Sequence, residues 1–253
     1  MSATILVDDF LAGVSATLQD NLPQFRRWPK AELIRYANWG QLAIAKYVPL
    51  CGARVDAVRL KPGPVQDFTK VVAAYIKPGS GATPADAHGL ALTGMVCNMG
   101  STGATPGRTI RAPVDAHTLD AGAPTWMAAE AGTEVREWVF DKGQPLTAYV
   151  NPPVHATTPV WVLLKWNVMP ARLAANPAAD AVLGVGDQWA DDLHNYVVAA
   201  ALTKNSKNTQ NLEKAAVHGA AFTSSINAQA MAVTGVNPNL KTLPFAAQIQ
   251  AGQ

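Results

Sequence analysis

The segment from Phe140 to Val154 constrains the fold of this 253-residue chain most strongly, because it combines a polar turn with a pair of prolines. Residues 141–144 separate two apolar runs, which is the pattern of an antiparallel hairpin. Pro152 and Pro153 have no amide hydrogen to donate to a neighbouring strand, so we expect strand pairing to end there. The run from Val160 to Trp166 is rich in β-branched and aromatic residues and is predicted to return as a strand. A small antiparallel sheet is therefore predicted in the middle of the chain.

The composition indicates a globular protein with a weakly charged surface. Apolar residues make up 49% of the chain and charged residues only 15%, so much of the surface must consist of small or neutral side chains. Such a surface suits a subunit that buries area against its neighbours, and it equally suits an alanine-rich monomer. The net charge of +2 is too small to predict a nucleic-acid-binding protein from bulk electrostatics.

The cysteines and the first residues indicate the compartment. Cys51 and Cys97 have neither the number nor the spacing of a disulfide framework or a metal site, and both are predicted to be reduced and buried. The first nine residues lack the basic start and long apolar centre of a signal peptide, and the chain has no apolar run of about 18 residues that could span a bilayer. A cytosolic product is therefore predicted.

Helical periodicity predicts helices near both ends of the chain. Apolar residues recur at helical spacing from Val7 to Leu18, and Pro23 is expected to end that helix. A second helix is predicted between Pro29 and Pro49. A third is predicted to begin near Asp187, whose side chain is expected to cap it, and a fourth to run from about Thr209 to Met231. The last two are expected to form an antiparallel helical hairpin.

The region between the terminal helices is less regular. Val55 to Leu60 is predicted to be a strand, and a short helix is predicted from about Gln66 to Ile76. Seven glycines and Pro84 interrupt the segment 78–107, which is interpreted as an inserted loop-helix-loop whose helix spans about Ala85 to Met99. Arg108 to Arg111 is then expected to be extended. Pro124 and Trp126 follow Leu119-Asp120 and predict a turn that anchors a large aromatic side chain.

These predictions define an α+β fold class. It is a helical bundle, made of N-terminal helices and a C-terminal helical hairpin, with a small central antiparallel β element and an extended C-terminal tail. One domain is predicted over residues 1–231, with helical parts at 1–50 and 187–231 and a β-containing insertion at 51–170. Residues 232–253 form the predicted tail, which lacks periodicity but carries Leu240, Leu243 and Phe245. An apolar tail of this kind is expected to bind a partner or a neighbouring surface.

The motifs of common enzyme classes are missing from the sequence. Gly184-Val185-Gly186 lacks the third glycine of a dinucleotide-binding loop, and Gly79 to Thr83 is not followed by the lysine of a phosphate-binding loop. The five histidines do not form a metal-ligand spacing. We therefore predict a protein that is not an enzyme, with no catalytic residue, cofactor or metal. The alternative is a small enzyme, which would require His194 and His218 on facing helices to converge with a carboxylate in a pocket.

The order of several short motifs resembles the head-to-tail adaptor family of short-tailed bacteriophages, whose members are also called connector or head completion proteins. The resemblance spans about 140 residues spread from Arg27 to Ile226 and departs from the family pattern in the segment 78–107 and after Met231. The motifs that carry it are Arg27-Trp28-Pro29-x-x-Glu32-Leu33, Tyr36-x-Asn38-x-Gly40-Gln41, Arg111, Leu119-Asp120, Pro124-x-Trp126, Phe140-Asp141, Tyr149 to Val154 and the helical hairpin.

The resemblance implies a structural virion protein made in the host cytoplasm. Its subunits would form a ring, with twelve copies expected, between the portal protein and the tail nozzle or tube protein. Genomic DNA would pass through the lumen without sequence-specific binding. The nearest alternative is a tail tube or nozzle component of the same tail.

The resemblance also directs attention to particular residues. The family's C-terminal extension climbs onto the portal, so the candidate portal-contacting residues are Leu240, Leu243, Pro244 and Phe245. The candidate basic residues of the channel wall are Arg26, Arg27, Arg108 and Arg111, for which solvation or intersubunit salt bridges are the alternatives. Alanine-rich helix faces are candidates for contacts between subunits or for packing within one subunit. These faces are Ala199-Ala200-Ala201, Ala215-Ala216 and Gly219-Ala220-Ala221.

Overall fold

The chain folds into two compact units. A computed structural model describes residues 3–20, 27–78, 86–111, 113–140, 143–204, 208–235, 238 and 240. The helical unit combines Met1–Gly52 with Pro170–Gln253, and the sheet unit is Ala53–Met169.

Helices dominate the helical unit, and those predicted near both ends of the chain are confirmed, although the first ends at Thr17 and does not continue to Pro23 as predicted. Within the described residues the α-helices are α1 Val7–Thr17, α2 Lys30–Tyr47, α3 Ala116–Gly122, α4 Ala190–Thr203 and α5 Thr209–Thr234; α3 alone lies in the sheet unit. None of the described helices is both long enough and apolar enough to cross a membrane.

The ends of the longest helix follow from local chemistry. The Asn208 side chain accepts a hydrogen bond from the Gln210 amide at 3.0 Å, which satisfies a free donor of the first turn of α5. Gly235 ends the helix in the left-handed conformation, with φ of +71°. The prediction that Asp187 caps the following helix is wrong. Its carboxylate instead accepts hydrogen bonds from Thr4, at 2.7 Å from the amide, and α4 begins after a short 3-10 turn.

The helical core depends on close packing. Leu33, Leu193 and Phe222 are fully buried, and the Phe222 ring meets the Tyr196 ring edge to face with centroids 5.1 Å apart. Gly40 allows α2 to approach α4 closely, because a Cβ at this position would lie 2.6 Å from Leu193 Cδ1. A larger side chain at residue 40 would therefore push the two helices apart.

The sheet unit contains far more β structure than the sequence predicted. The described strands are β1 Ala53–Arg59, β2 Gly63–Asp67, β3 Lys70–Val71, β4 Ile76–Pro78, β5 Ala87–Met99, β6 Pro106–Thr109, β7 Glu137–Phe140, β8 Thr147–Val154 and β9 Trp161–Val168. A six-stranded sheet has the order β3-β5-β9-β1-β4, with β6 also paired to β5, and a three-stranded sheet has the order β2-β8-β7. All of these pairs are antiparallel. The predicted helical bundle with a small β element is therefore wrong.

The largest error concerns the helix predicted at 85–99. Residues 87–99 form β5, the longest described strand, which pairs with β9. Its register shifts at three places, between Gly89 and Ala91, between Leu92 and Gly94, and between Met95 and Cys97. Each irregularity interrupts the alternation of buried and exposed side chains, so the sequence lacks the period of two that identifies a strand.

The short helix predicted from Gln66 to Ile76 is wrong as well. The residues from 63 to 78 form β2, β3, a 3-10 turn and β4. The Gln66 side chain is buried in this region, where Oε1 accepts from the Lys61 amide and Nε2 donates to the Lys61 carbonyl, both at 2.8 Å. Gln66, which was predicted to begin a helix, therefore closes the turn between β1 and β2.

The double proline interrupts strand pairing, as predicted, but it does not end the strand. The pairing of β7 with β8 stops at Asn151, and the register of β2 on β8 shifts between Tyr149 and Val154, so neither proline has a partner in these two registers. Strand β8 continues to Val154, which pairs with Gly63 of β2. The Pro153 carbonyl accepts a hydrogen bond from the Gly132 amide at 2.8 Å, and the Asn151–Pro152 peptide bond is cis. The predicted hairpin and the return of a strand at residue 160 are both confirmed, although β9 pairs in the other sheet.

Among the polar side chains buried in the sheet unit, Asp56 and Asn98 link different elements through hydrogen bonds. The Asp56 carboxylate is 2% exposed; it accepts from Trp166 Nε1 at 2.9 Å and lies 3.1 Å from Arg54 Nε. Asn98 bonds both backbone groups of Val135, at 2.7 and 2.8 Å. These bonds connect β1 to β9 and β5 to the segment before β7.

Candidate assembly surfaces

The exposed side of α5 carries no charged side chain after Lys214 among the residues that the structure describes. The residues from Ala215 to Leu240 include no Asp, Glu, Lys or Arg. Side chains that face away from the helical core over this stretch are small or apolar, and Val217 is 68% exposed and Met231 54%. We call this surface the α5 outer face and define it by Val217, Ala220, Ala221, Ser224, Ala228 and Met231, all exposed.

The structure separates the alanine-rich candidates into two groups. Ala199, Ala200 and Ala201 are completely buried within the helical unit. Ala215 and Gly219 are also buried, on the inner side of α5, whereas Ala220 and Ala221 are exposed. Packing within the subunit therefore accounts for the α4 alanines, and only the outer residues of α5 stay available to a partner.

Leu240 is the one candidate portal-contacting residue within the described part of the chain. Its backbone amide donates to Asn227 Oδ1 at 2.9 Å, and its carbonyl accepts from Asn227 Nδ2 at 3.1 Å. The side chain packs, partly buried, against the helical core. Leu243, Pro244 and Phe245 lie outside the described residues. The chain is therefore attached to α5 just before the apolar part of its tail.

The candidate basic residues fall in different units. Arg27 is in the helical unit, where its guanidinium lies 4.6 Å from the Trp28 ring centre, while Arg26 is outside the described residues. Arg108 and Arg111 are in the sheet unit, at β6 and just after it, and both are exposed. Arg111 Nη1 lies 3.6 Å from Glu137 Oε2, so its charge already has a partner in the same unit.

The motif from Tyr36 to Gln41 has a structural role in the helical unit. Asn38 bonds both backbone groups of Leu173, at 2.8 and 3.0 Å, and Gln41 Oε1 accepts from the Gly184 amide at 2.6 Å. Asn38 and Gln41 thereby hold the segment before α4 against α2.

Glu32 joins α2 to the end of α4. Its carboxylate accepts from Tyr36 Oη at 2.7 Å and from Lys204 Nζ at 2.6 Å. Burial raises the pKa of Glu32, but the hydrogen bonds from Lys204 and Tyr36 outweigh it and the net pKa is lowered. Burial and the Glu32 hydrogen bond together raise the pKa of Tyr36 to about 12.

The two histidines of the enzyme alternative have neutral partners. His194 Nε2 lies 3.0 Å from Thr17 Oγ1, and His218 Nδ1 lies 2.8 Å from Asn195 Oδ1. Burial lowers the pKa of both imidazoles, and for His194 the charge of His218 lowers it further.

The described residues offer little metal-binding or nucleophilic chemistry. They include no cluster of three or more histidine, cysteine, aspartate or glutamate side chains that could hold a metal ion. Burial raises the pKa of the Cys51 thiol to about 12, which disfavours the thiolate at neutral pH.

Comparison with protein-family models finds no match, and comparison with curated proteins likewise finds none.

Sequence reasoning missed a cavity in the sheet unit, which lies beside α3, β7 and β8. Its lining includes Asp115, Met127 and Val139, none of which belongs to a recognisable motif. Phe140 and Tyr149 also line the cavity and belong to sequence motifs, but only Trp126 was predicted to be anchored. Trp126 is buried, and its indole nitrogen donates to Asp120 at 2.9 Å.

Proposed function

We propose that this chain is the ring subunit of a head-to-tail adaptor, which joins the portal of a tailed bacteriophage to its tail and continues the DNA channel. The observation that carries the proposal is the α5 outer face, an exposed helix surface without charges. It supports a contact between copies of the chain, which a ring requires.

The physical argument starts from the cost of burying charge. Interface cores are depleted of charged residues because desolvating a charge is costly unless it is paired. The α5 outer face has this composition over about four turns of helix, from Val217 to Met231, yet it is exposed in the isolated chain. A second copy of the chain is the proposed occupant, since a ring is closed by repeating one contact between two different faces of the same subunit.

The residues that carry the family resemblance support an architectural role. Asn38 and Gln41 bond to backbone groups, Gly40 permits close helix packing, and Trp28 Nε1 donates to the Ala201 carbonyl at 3.0 Å. Each of these contacts holds one part of the helical unit to another. A pattern of residues that serves packing rather than chemistry is consistent with a structural subunit that is not an enzyme.

The tail is the proposed portal-binding element. Because Leu240 is used within the helical unit, the docking contact is assigned to Leu243, Pro244 and Phe245. The Asn227 bonds to Leu240 would fix the point from which these residues reach the portal. The tail nozzle or tube protein is the proposed partner on the other side of the ring.

The ring is tested by measuring the mass of the purified chain, alone and with portal rings, by native mass spectrometry and electron microscopy. Val217→Glu with Ala221→Glu should prevent ring formation, because each subunit would bury two unpaired carboxylates. Gln210→Glu is the matched control, since it adds a charge to an exposed position of the same helix outside the α5 outer face. A ring that forms equally well with the double substitution contradicts the proposal.

The tail is tested separately with Leu243→Ser and Phe245→Ser in the full-length chain. The variant should stay soluble and helical by circular dichroism but no longer cosediment with portal rings. A chain that ends at Gly235 should behave in the same way. Unchanged portal binding by either variant would rule out this role for the tail, and a ring found below the nozzle rather than at the portal would favour a tail tube component.

A further inference from the structure

The sheet unit has a cavity of about 360 Å³ whose lining combines aromatic side chains with a carboxylate. Trp126, Phe140 and Tyr149 line it together with Met127, and Asp115 supplies the carboxylate. Met127 is 46% exposed, so an apolar side chain lies open at this surface.

The aromatic part of the cavity is held in place. Trp126 is buried and packs with Leu119 and Val139 in a small apolar cluster of its own, and Tyr149 packs against that cluster. The Trp126 hydrogen bond to Asp120 fixes the indole ring. The Phe140 ring rests edge to face against Trp138, with ring centroids 5.8 Å apart. A ligand would therefore meet a largely preformed site.

The Asp115 side chain is exposed, and its carboxylate makes no hydrogen bond or ion pair with any residue that the structure describes. The Asp120 carboxylate accepts a hydrogen bond from Trp126 Nε1. The Glu137 carboxylate accepts from Asn151 Nδ2 at 2.7 Å and forms an ion pair with Arg111. Residues 111–142 contain six acidic and, counting His117, four basic side chains, so this stretch keeps a small net negative charge that favours a cationic ligand.

We propose that this cavity binds an arginine side chain presented by a partner protein. A guanidinium is planar and weakly hydrated, so it stacks on aromatic rings and offers two parallel N–H donors to a carboxylate. The lining of the cavity supplies both kinds of partner. A purely apolar ligand would leave Asp115 without a function, and an anion would be repelled by it.

The partner is assigned as a protein other than a second copy of the chain. This choice rests on the proposed function, in which copies meet through the uncharged α5 outer face. The cavity is acidic and aromatic, and it therefore suits a basic surface of a different component.

The test uses the full chain and the peptide acetyl-Gly-Arg-Gly-amide, with the same peptide carrying citrulline in place of arginine as the probe control. Citrulline keeps the size and planarity of arginine without the charge. The readout is the Trp126 indole N–H resonance, identified by its loss in Trp126→Phe. The arginine peptide should shift this resonance and saturate at millimolar concentrations, and the citrulline peptide should bind several-fold more weakly.

Asp115→Asn should weaken binding of the arginine peptide by about tenfold, because it removes a charge-assisted hydrogen bond. Glu130→Gln is the matched control, since Glu130 is exposed in the same segment but does not line the cavity, and it should leave binding unchanged. Equal binding of the two peptides, or equal binding by Asp115→Asn and Glu130→Gln, would overturn the proposal.

Two further outcomes would also overturn the proposal that the cavity binds an arginine side chain. Tighter binding of tetramethylammonium than of the arginine peptide would assign the cavity to a small organic cation. Loss of self-association in Asp115→Asn, measured by analytical ultracentrifugation, would assign it to a contact between copies. Failure of the α5 variants to disturb the ring would leave the peptide result intact, so the two proposals fail separately.

Discussion

The helical unit and the sheet unit differ in how a buried carboxylate is paired. Asp192 in the helical unit accepts from the neutral Gln229 amide at 3.0 Å, whereas Asp56 in the sheet unit lies 3.1 Å from Arg54 Nε. In the helical unit, the neutral amides of Asn38 and Gln41 bond to backbone groups, and the surrounding core is filled by close contacts between helices. In the sheet unit, the Asp56 carboxylate is buried beside Trp166 and Arg54. The helical unit should therefore be most sensitive to changes in side-chain volume, and the sheet unit to the loss of a polar partner.

The largest effect is expected from Phe222→Ala in the helical unit. Phe222 is completely buried and packs edge to face on Tyr196. The substitution leaves a cavity between α4 and α5 and should lower the free energy of unfolding by about 4 kcal/mol. Urea unfolding monitored by far-UV circular dichroism measures the change. Phe222→Leu, which fills most of the space, is the control and should cost far less; equal losses would show that volume does not limit this core.

Removal of the buried carboxylate in the sheet unit should have the next largest effect. Asp56→Ala leaves Trp166 Nε1 without its acceptor and should lower the free energy of unfolding by about 3 kcal/mol. Asp56→Asn retains an acceptor oxygen and should cost less. Tryptophan fluorescence during urea unfolding gives both values.

The control for Asp56 is Asp86→Ala, which removes an exposed carboxylate that pairs with Lys70 and accepts a hydrogen bond from the Ala73 amide at 2.9 Å, on the surface of the same unit. Surface pairs contribute little, so this variant should unfold close to the unmodified chain. If Asp56→Ala were as stable as Asp86→Ala, the sheet unit would not depend on its buried polar partner in the way expected here.

A smaller effect is expected from Gly40→Ala, which adds one methyl group where α2 meets α4. The new Cβ would lie 2.6 Å from Leu193 Cδ1 and 2.9 Å from Tyr196 Cδ1. The resulting overpacking should cost about 1.5 kcal/mol. Gly13→Ala in α1 has no neighbouring atom within 4 Å and should instead stabilise the helix by up to about 1 kcal/mol. Thermal unfolding of both variants tests the opposite signs.

The same contrast explains which parts of the fold could be predicted from sequence. The helices of the helical unit keep a regular period along one face, so α1, α2 and α5 could be located from apolar spacing and end signals such as Asn208 and Gly235. Strand β5 has three register shifts, which remove the alternation that would have identified it. Local patterns therefore predicted regular elements and missed elements whose shape depends on pairing with distant strands.

The candidate sites likewise divide into those formed by one continuous segment, which could be predicted, and those that depend on pairing between distant segments, which could not. Leu240 and the uncharged stretch of α5 lie in continuous segments, so composition could indicate them. The cavity in the sheet unit brings Asp115 and Trp126 to Tyr149 through the pairing of β7 with β8 and the contact of Val114 with Val139. Sequence order alone could not indicate that these side chains share a cavity.

The smallest expected effect is a pH dependence that originates in the helical unit. Burial lowers the pKa of His194, the charge of His218 lowers it further and Asp191 opposes the change, while burial lowers the pKa of His218. Each imidazole therefore binds a proton less readily in the folded chain than in the unfolded chain, where the pKa is about 6.5. The stability that these two neutral histidines contribute is therefore present above pH 6.5. It is lost as the pH falls from 6.5 through the lowered pKa values of the folded chain.

The carboxylates of the same unit act in a lower pH range. The pKa values of Glu32 and Asp187 are lowered from 4.5 and 3.8, so the stability they provide is lost only below those values. Burial raises the pKa of Asp192, so acidification relieves the cost of its buried charge and opposes that loss. Urea midpoints at pH 7.5 and 5.5 separate the histidines from Glu32 and Asp187, whose pKa values are lowered. His194→Gln with His218→Gln should reduce the difference between the two midpoints. An undiminished difference would show that protonation elsewhere, and not at the α1–α4 and α4–α5 contacts, governs the response to acid.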